Sequence, residues 1–588
     1  MTAFAIARAF VPVHEHLRAR RTFRALLERG LIAVIIVTVS AGAWVYGIKL
    51  RSAIWRESHP VRFHGDIHNA WNWGTRIYTE AGKLGEPVVN PTWKHLLQAY
   101  AATYANVARE HALDGRFNLD YPPGRLLAVA MWVKVTRDRF PQASHWRDAY
   151  THPMLWANTL ATAVASLLAG LLVYHWVRRQ DASARHGGWV MALLAGLLLW
   201  FNPAVLANAH AWPQWDVWIV PFFLLACLLA SHQCWLWTGV AVATGAMFKG
   251  QLLIVAPFFV FWPLFQLQLH GVVRVLAGLA ISLALIGSPW LLRDDRALLW
   301  SLNLIAGAGV SAAWLRYGLR PRSWIIFFSL TLILLIWPKL AWGWGRFAFA
   351  GTLLTVLLIG WPKLIGRGAP ATLFIGVTAL TLFLAGWIFD GDWAWVRIGF
   401  LYATDHYQAM VMGPVDNLAR LLQDYYGLRL YSPVGSLSIA GKTITLQILL
   451  RVIFYVLLTL AAFAVAGGAR HGRATALAAM IAPFALMFAF LPQMHERYFM
   501  YAAAVSSIGV GVSVGMTLMH GVTTMLASTM IVTCLLLQNT SFMPRVLRTM
   551  QEAQPGISWA VIGVALIYLS VALSKPAPTR KLHSPSAE

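Results

Sequence analysis

The feature that most limits this chain is its series of long, uninterrupted apolar runs, each near the ~20 residues that a helix needs to cross a bilayer. They start with Leu31–Ile48 and resume at Met154–Val177, Trp189–Ala207 and Trp215–Ala230. Trp235–Phe248 and Leu252–Leu269 follow, separated only by Lys249-Gly250-Gln251, and then Val272–Leu292, Leu298–Leu315, Trp324–Leu340, Phe347–Trp361 and Ala371–Phe389. Ile444–Val465, Ala474–Leu491, Phe499–Met519, Val522–Leu537 and Ile557–Leu573 complete the series. The runs are continuous rather than alternating, which excludes a β-barrel. The fold class expected is therefore all-α, a polytopic transmembrane helical bundle of roughly 12–16 spans.

Charge agrees with this. Only 12% of the 588 residues are charged and 58% are hydrophobic, against about a quarter charged in soluble domains. The net charge of +24 does not point to nucleic acid, because the basic residues cluster at the ends of apolar runs, as membrane topology demands. Cys227, Cys234 and Cys534 form neither a disulfide framework nor a metal-binding pair. No cleavage pattern follows the basic run Arg18–Arg29, so 1–30 reads as a cytoplasmic segment before a retained first helix. Residues 31–574 form the transmembrane domain, and 575–588, rich in Pro and Ser, a disordered cytoplasmic tail. The positive-inside rule puts loops 49–153 and 390–443 on the extracytoplasmic side, if Pro122–Val135, with its two leading prolines, is an interfacial or re-entrant helix and not a crossing.

Candidate chemistry gathers on that side. Asp66, between His64 and the aromatic Trp71 and Trp73, reads either as a catalytic carboxylate or as a helix cap paired with Arg62 or Arg76. Asp120 is a second acid or holds the rigid Pro122-Pro123 turn. Lys249 breaks an apolar stretch, which makes it a functional candidate unless it snorkels. Arg397 is a phosphate ligand or a solvated loop charge. His210 and Asp216 read a sugar or cap their spans. His495, Glu496 and Arg497 bind a phosphate, for which a guanidinium fork is suited, or pair with one another. His64-x-Asp66-x-His68 could ligate a metal when extended, but in a helix Asp66 points away from the two histidines; no metal and no cofactor is expected.

Five stretches, taken in order, resemble one family: His64-Gly65-Asp66 with Trp71 and Trp73; Leu119-Asp120-Tyr121-Pro122-Pro123; His210-Ala211-Trp212-Pro213-Gln214-Trp215-Asp216; Phe248-Lys249-Gly250-Gln251; and Gln493-Met494-His495-Glu496-Arg497. The order is similar to that of the GT-C glycosyltransferases, nearest to the dolichyl-phosphate-glucose glucosyltransferases that extend lipid-linked oligosaccharide. The resemblance covers about 60–260 and again the region near 490, and lapses between 270 and 390. The modest length, basic charge and divergent middle suggest a bacterial relative in the inner membrane, with its active site expected on the extracytoplasmic face and interfacial helices in the first loop. The partners implied are a polyprenyl-phosphate hexose as donor and a glycan, glycolipid or protein hydroxyl as acceptor. An inverting displacement at the sugar C1 would need a base, Asp66, worth roughly 10²–10⁴-fold. It would need cations for the departing phosphate, for which His495, Arg497, Lys249 and Arg397 are candidates. Asp120, Tyr121, His210, Asp216 and Glu496 would position substrate. The alternative is a polytopic transporter or flippase of lipid-linked sugars, which would show paired inverted repeats; none is visible in the sequence.

Overall fold

The structure, a computed structural model, describes residues 34, 37–62, 64–83, 121–180, 185–287, 399–400, 409–411, 413–439, 442–537, 541 and 543–574. The expected spans from Leu298 to Phe389 lie outside the described residues. The chain divides into two compact units, Met1–Arg56 and Glu57–Glu588. In the first, 37–56 are helical, and Arg51 folds back to donate from Nη1 to the Gly47 carbonyl at 3.0 Å.

The second unit is mostly helical. Among the described residues, five helical stretches are long and apolar enough to cross a membrane: Asp148–Gln180, Gly187–Ala211, Leu446–His471, Val514–Leu537 and Gly556–Leu573. Other apolar runs among the described residues fold as shorter helices, such as Ile219–Ser231 and Trp235–Ala246. At 1.5 Å per residue these are too short to span about 30 Å alone. They close up through small residues: a Cβ on Gly239 would strike the Val275 carbonyl oxygen.

The two-helix platform that carries the site lies in the first expected loop. Helix α1 (Gly65–Lys83) packs on α2 (Pro123–Arg139). Pro122 supplies an extended N-cap and Pro123 a pre-set φ at the first position, the place where a helix tolerates proline. Ile67, Ala70, Trp71, Ile77, Leu126, Val129 and Val133 form a shared core, with Trp215 and Met247 added from later segments. Gly74 lets the helices touch: a Cβ there would stand 2.6 Å from the Val129 carbonyl oxygen. Helix α3 (His152–Gln180) follows.

Two expected span boundaries are corrected. The described residues are mostly helical, as the expected fold class has it, with a hairpin in which Pro433–Ile439 (β1) and Lys442–Thr445 (β2) pair antiparallel, Ile439 opposite Lys442. The apolar run therefore turns helical only at Leu446, after an extended Thr445. The expected break between Met519 and Val522 is absent, since one helix, α4, runs from Val514 to Leu537. His520-Gly521 reads as a polar interruption, but His520 is buried and its Nδ1 meets Ser506 Oγ at 2.8 Å, so the helix need not break to solvate it. The chain turns instead after the 3-10 segment Ser506–Gly511, where a Cβ on Gly511 would strike Leu477 at 2.8 Å. Trp189–Ala207 lies within the span-length stretch Gly187–Ala211, which carries a local irregularity at Asn202-Pro203. There Asn202 caps the next short helix through the Ala204 and Val205 amides.

Candidate active site

Asp66 occupies the first turn of α1, where a carboxylate is favoured by the helix dipole. Its Oδ2 accepts from Arg497 Nη1 at 3.1 Å, from Trp212 Nε1 at 3.3 Å and from Gln214 Nε2. All three donors fall on one oxygen. The side chain stays 23% exposed, which leaves the other oxygen for an incoming group. The alternative pairing with Arg62 is not made: Arg62 Nη1 bonds Asp148 at 3.1 Å.

Arg497 links two carboxylates. Its Nε lies 3.3 Å from Asp216 Oδ2, and Asp216 is fully buried. Asp216 also takes the Lys249 ammonium on Oδ1 and the Asn208 amide at 3.4 Å on Oδ2. Lys249 is buried, so it does not snorkel. It faces the Tyr498 ring at 4.7 Å, while Arg497 stands 5.1 Å from the Trp212 ring. Burial pulls the Lys249 ammonium below its ordinary range, and the nearby Arg497 and Arg125 add to the pull that Asp216 opposes. Burial alone would depress Arg497 too, but Asp66 and then Asp216 outweigh it and hold the guanidinium above its ordinary range.

Arg125, in the first turn of α2, is buried between the rings of Tyr121 and Trp215, with its Cζ 3.4 and 3.8 Å from their centroids. The arrangement suits a guanidinium, which stacks on aromatic faces. Its backbone N–H also reaches the Met247 carbonyl at 3.0 Å, which ties α2 to the turn carrying Lys249. Gly124 permits this contact, since a Cβ there would meet the same carbonyl at 2.8 Å.

The remaining candidates divide. His210 lies in an irregular π turn, Ala207–Ala211, and its Nε2 meets Thr159 Oγ1 at 3.1 Å. Thr159 spends its own proton on the Leu155 carbonyl, so His210 Nε2 is the donor of that pair. Glu496 turns away from Asp66. It is buried, lies 3.9 Å from His495 and packs against Gly413, where a Cβ would stand 2.5 Å from its Oε2. Gly413 has φ +69°, a region glycine enters without strain. Burial would raise the Glu496 carboxyl, but His495 and then Arg497 outweigh it and hold it below its usual range. His495 stacks edge-on to Tyr498. Asp120 and Arg397 lie outside the described residues. His64 and His68 straddle the start of α1, His68 exposed and His64 against Trp146. Among the described residues no three His, Cys, Asp or Glu side chains gather as metal ligands.

Sequence reasoning missed the neutral members of the site, Trp212, Gln214 and Asn208, and the stacked Arg125. Trp212 and Gln214 stand inside the stretch His210–Asp216 that carries the resemblance, but neither was given a role there.

The chain is thus an α-helical integral membrane protein with a buried cluster of carboxylates and cations set among aromatic rings. A scan of protein-family models found no match to it, and a search of curated proteins found none either.

Proposed function

We propose that this protein is an integral-membrane glycosyltransferase that moves a hexose from a polyprenyl-phosphate donor to an acceptor hydroxyl on the extracytoplasmic side of a bacterial inner membrane. One observation carries the reading. Asp66 and Arg497, 431 residues apart in sequence, meet at 3.1 Å, so a partly exposed carboxylate and a phosphate-matching fork share one site.

In the proposed step an acceptor oxygen bonds to C1 of the sugar and the bond from C1 to the phosphate oxygen breaks with its electron pair. Asp66 takes the acceptor's proton, a role worth roughly 10²–10⁴-fold. The polyprenyl phosphate leaves with one more negative charge, which Arg497 and Lys249 stabilise in a site with little water to screen them. Glu496, His495 and His210 hold surrounding segments or contact the substrate, and Tyr121 and Trp215 keep Arg125 in place. Asp120 and Arg397 remain candidates for positioning and for the phosphate. The cluster itself supplies acid–base and electrostatic chemistry, and the step as written needs no cofactor.

The test is transfer of label from a radiolabelled polyprenyl-phosphate hexose in membranes containing the protein. Wild type is expected to form a labelled glycoside. Asp66→Asn is expected to lose roughly 10²–10⁴-fold in rate while keeping its thermal midpoint in detergent. Label that crosses sealed vesicles without a new glycosidic bond would refute the reading in favour of a transporter or flippase.

A further inference from the structure

Asn158 sits in the second turn of α3, fully buried, in a stretch long and apolar enough to cross a membrane. An amide there is costly unless every polar atom is satisfied. Its Nδ2 donates to two carbonyls, Ala209 at 2.8 Å and Gln214 at 3.0 Å. Its Oδ1 accepts from Trp218 Nε1 at 2.7 Å. All three partners lie in one short segment of the chain.

That segment, 207–218, is poor in regular structure. It passes from the π turn Ala207–Ala211 through Pro213, which has no N–H to give, to the 3-10 turn Asp216–Trp218. Two backbone bonds brace its middle: Trp212 N to Ala207 O at 2.8 Å and Gln214 N to Asn208 O at 3.1 Å. Yet it delivers four side chains to the charged cluster: Trp212 and Gln214 to Asp66, Asn208 to Asp216, and Asp216 itself to Lys249 and Arg497. One amide therefore pins both sides of the turn that presents them. Thr159, the next residue of α3, holds His210 from the same helix.

We infer that Asn158 is a positioning residue, which sets Asp66 and Asp216 through the carbonyls of Ala209 and Gln214 without touching substrate. The inference rests on the transferase reading for its kinetic consequence, but its structural part stands apart from it. Asn158→Asp keeps the acceptor for Trp218 and the shape of the side chain. It loses both donors and sets a carboxylate against two carbonyl oxygens.

Two measurements decide. The first is amide hydrogen exchange in detergent. Peptides spanning 207–218 are expected to exchange about tenfold faster or more in Asn158→Asp, while peptides from Thr475–Phe490 do not change. Ser166→Ala, which removes a buried hydroxyl of α3 that bonds the Thr162 carbonyl and not Asn158, is the control and leaves both unchanged. The second is label transfer. Asn158→Asp is expected to lower kcat by about 10–100-fold with donor KM within about twofold. Combined with Gln214→Ala, which keeps the backbone carbonyl that Asn158 holds and removes the amide aimed at Asp66, it is expected to lose less than the two single losses added together, because part of the effect of Asn158 passes through that amide. Unchanged exchange in 207–218, or additive losses in the double variant, would overturn the inference. If Asn158→Asp is not recovered folded, Trp218→Phe removes the bond to Oδ1, together with part of the ring that meets Trp215 and Phe248. It must then speed exchange in the same peptides, by a smaller factor, or the inference fails. Wild-type protein that transfers no label would sink the transferase reading and leave the exchange result to judge Asn158.

Discussion

Gly74→Ala sets two effects against each other, and the structure says which wins. In an isolated helix the change is favourable by about 0.8–1.0 kcal/mol, since glycine is the poorer helix former. Here the added methyl would lie 2.6 Å from the Val129 carbonyl oxygen and 2.7 Å from Val133 Cγ2. The nearer atom belongs to the backbone of α2, so no side-chain rotation relieves it. Overpacking of this kind costs about 1–3 kcal/mol, and a backbone obstacle argues for the upper part of that range. The expected net effect is a loss of about 1–2 kcal/mol. Restoring ordinary contact means moving α1 off α2 by about 0.8 Å. Asp66 lies at the start of α1, about 12 Å along the axis from Gly74. A shift near 1 Å in a reacting group costs roughly 10²-fold in rate. Gly74→Ala is therefore expected to lower both the thermal midpoint in detergent and label transfer, the latter by about 10–100-fold. Gly563→Ala is the control: nothing lies within 4 Å of a Cβ there, so only the helix-forming gain remains and its midpoint should rise slightly. The reasoning is refuted if Gly74→Ala raises the midpoint as Gly563→Ala does.

Two further predictions concern charge. Burial raises the Asp416 carboxyl to about 6, against the opposing pull of Arg420 and the Gln554 amide, so the folded state binds that proton more tightly than the unfolded state; stability from this group is full below about pH 4 and lost as pH rises through about 6, a difference of about 3 kcal/mol. Asp416→Asn keeps an oxygen for Gln554, so its thermal midpoint is expected to exceed wild type at pH 8 and the gap to close toward pH 4; an equal gap at both would refute the assignment. Asp66→Asn is expected to bind polyprenyl phosphate at least as tightly as wild type, measured by displacement of a fluorescent polyprenyl phosphate, because Arg497 then has no carboxylate at Asp66 to leave; weaker binding would count against Arg497 as the phosphate ligand.

The charged half of the site was legible in the sequence because charge is conspicuous in an apolar chain. Asp66, Asp216, Lys249 and Arg497 each interrupt or border an apolar run, and the structure brings all four together. Their neutral partners were not legible. Trp212, Gln214 and Asn208 are unremarkable by type, and what makes them site residues is the direction in which an irregular turn points them. Asn158 left a clue in being an amide inside an apolar run, but its partners lie more than fifty positions away. The helix boundaries failed for a related reason. His520 and Ile444 were weighed by polarity along the chain, whereas contacts across the fold fixed their setting: Ser506 for His520 and the β1–β2 pairing for the residues around Ile444. Gly74 and Gly511 show the same limit, because glycine signals a close approach without naming the surface approached.

The two halves of the Arg497 bridge differ in what it costs to open them. Asp216 is fully buried, and removing one partner from a buried pair leaves an uncompensated charge at about 3–5 kcal/mol. Asp66 is partly exposed, so water can take over part of what Arg497 gives it, and Trp212 and Gln214 remain on the same oxygen. An arriving phosphate therefore competes for Arg497 at the Asp66 end, not at Asp216. Asp216 and Lys249 keep the guanidinium anchored while its outer edge changes partner. On the transferase reading, the donor's own charge frees the base: Asp66 gives up its contact with Arg497 as the phosphate that must depart settles onto that guanidinium. A neutral sugar alone has nothing with which to make that exchange, which ties the availability of the carboxylate to the presence of the leaving group.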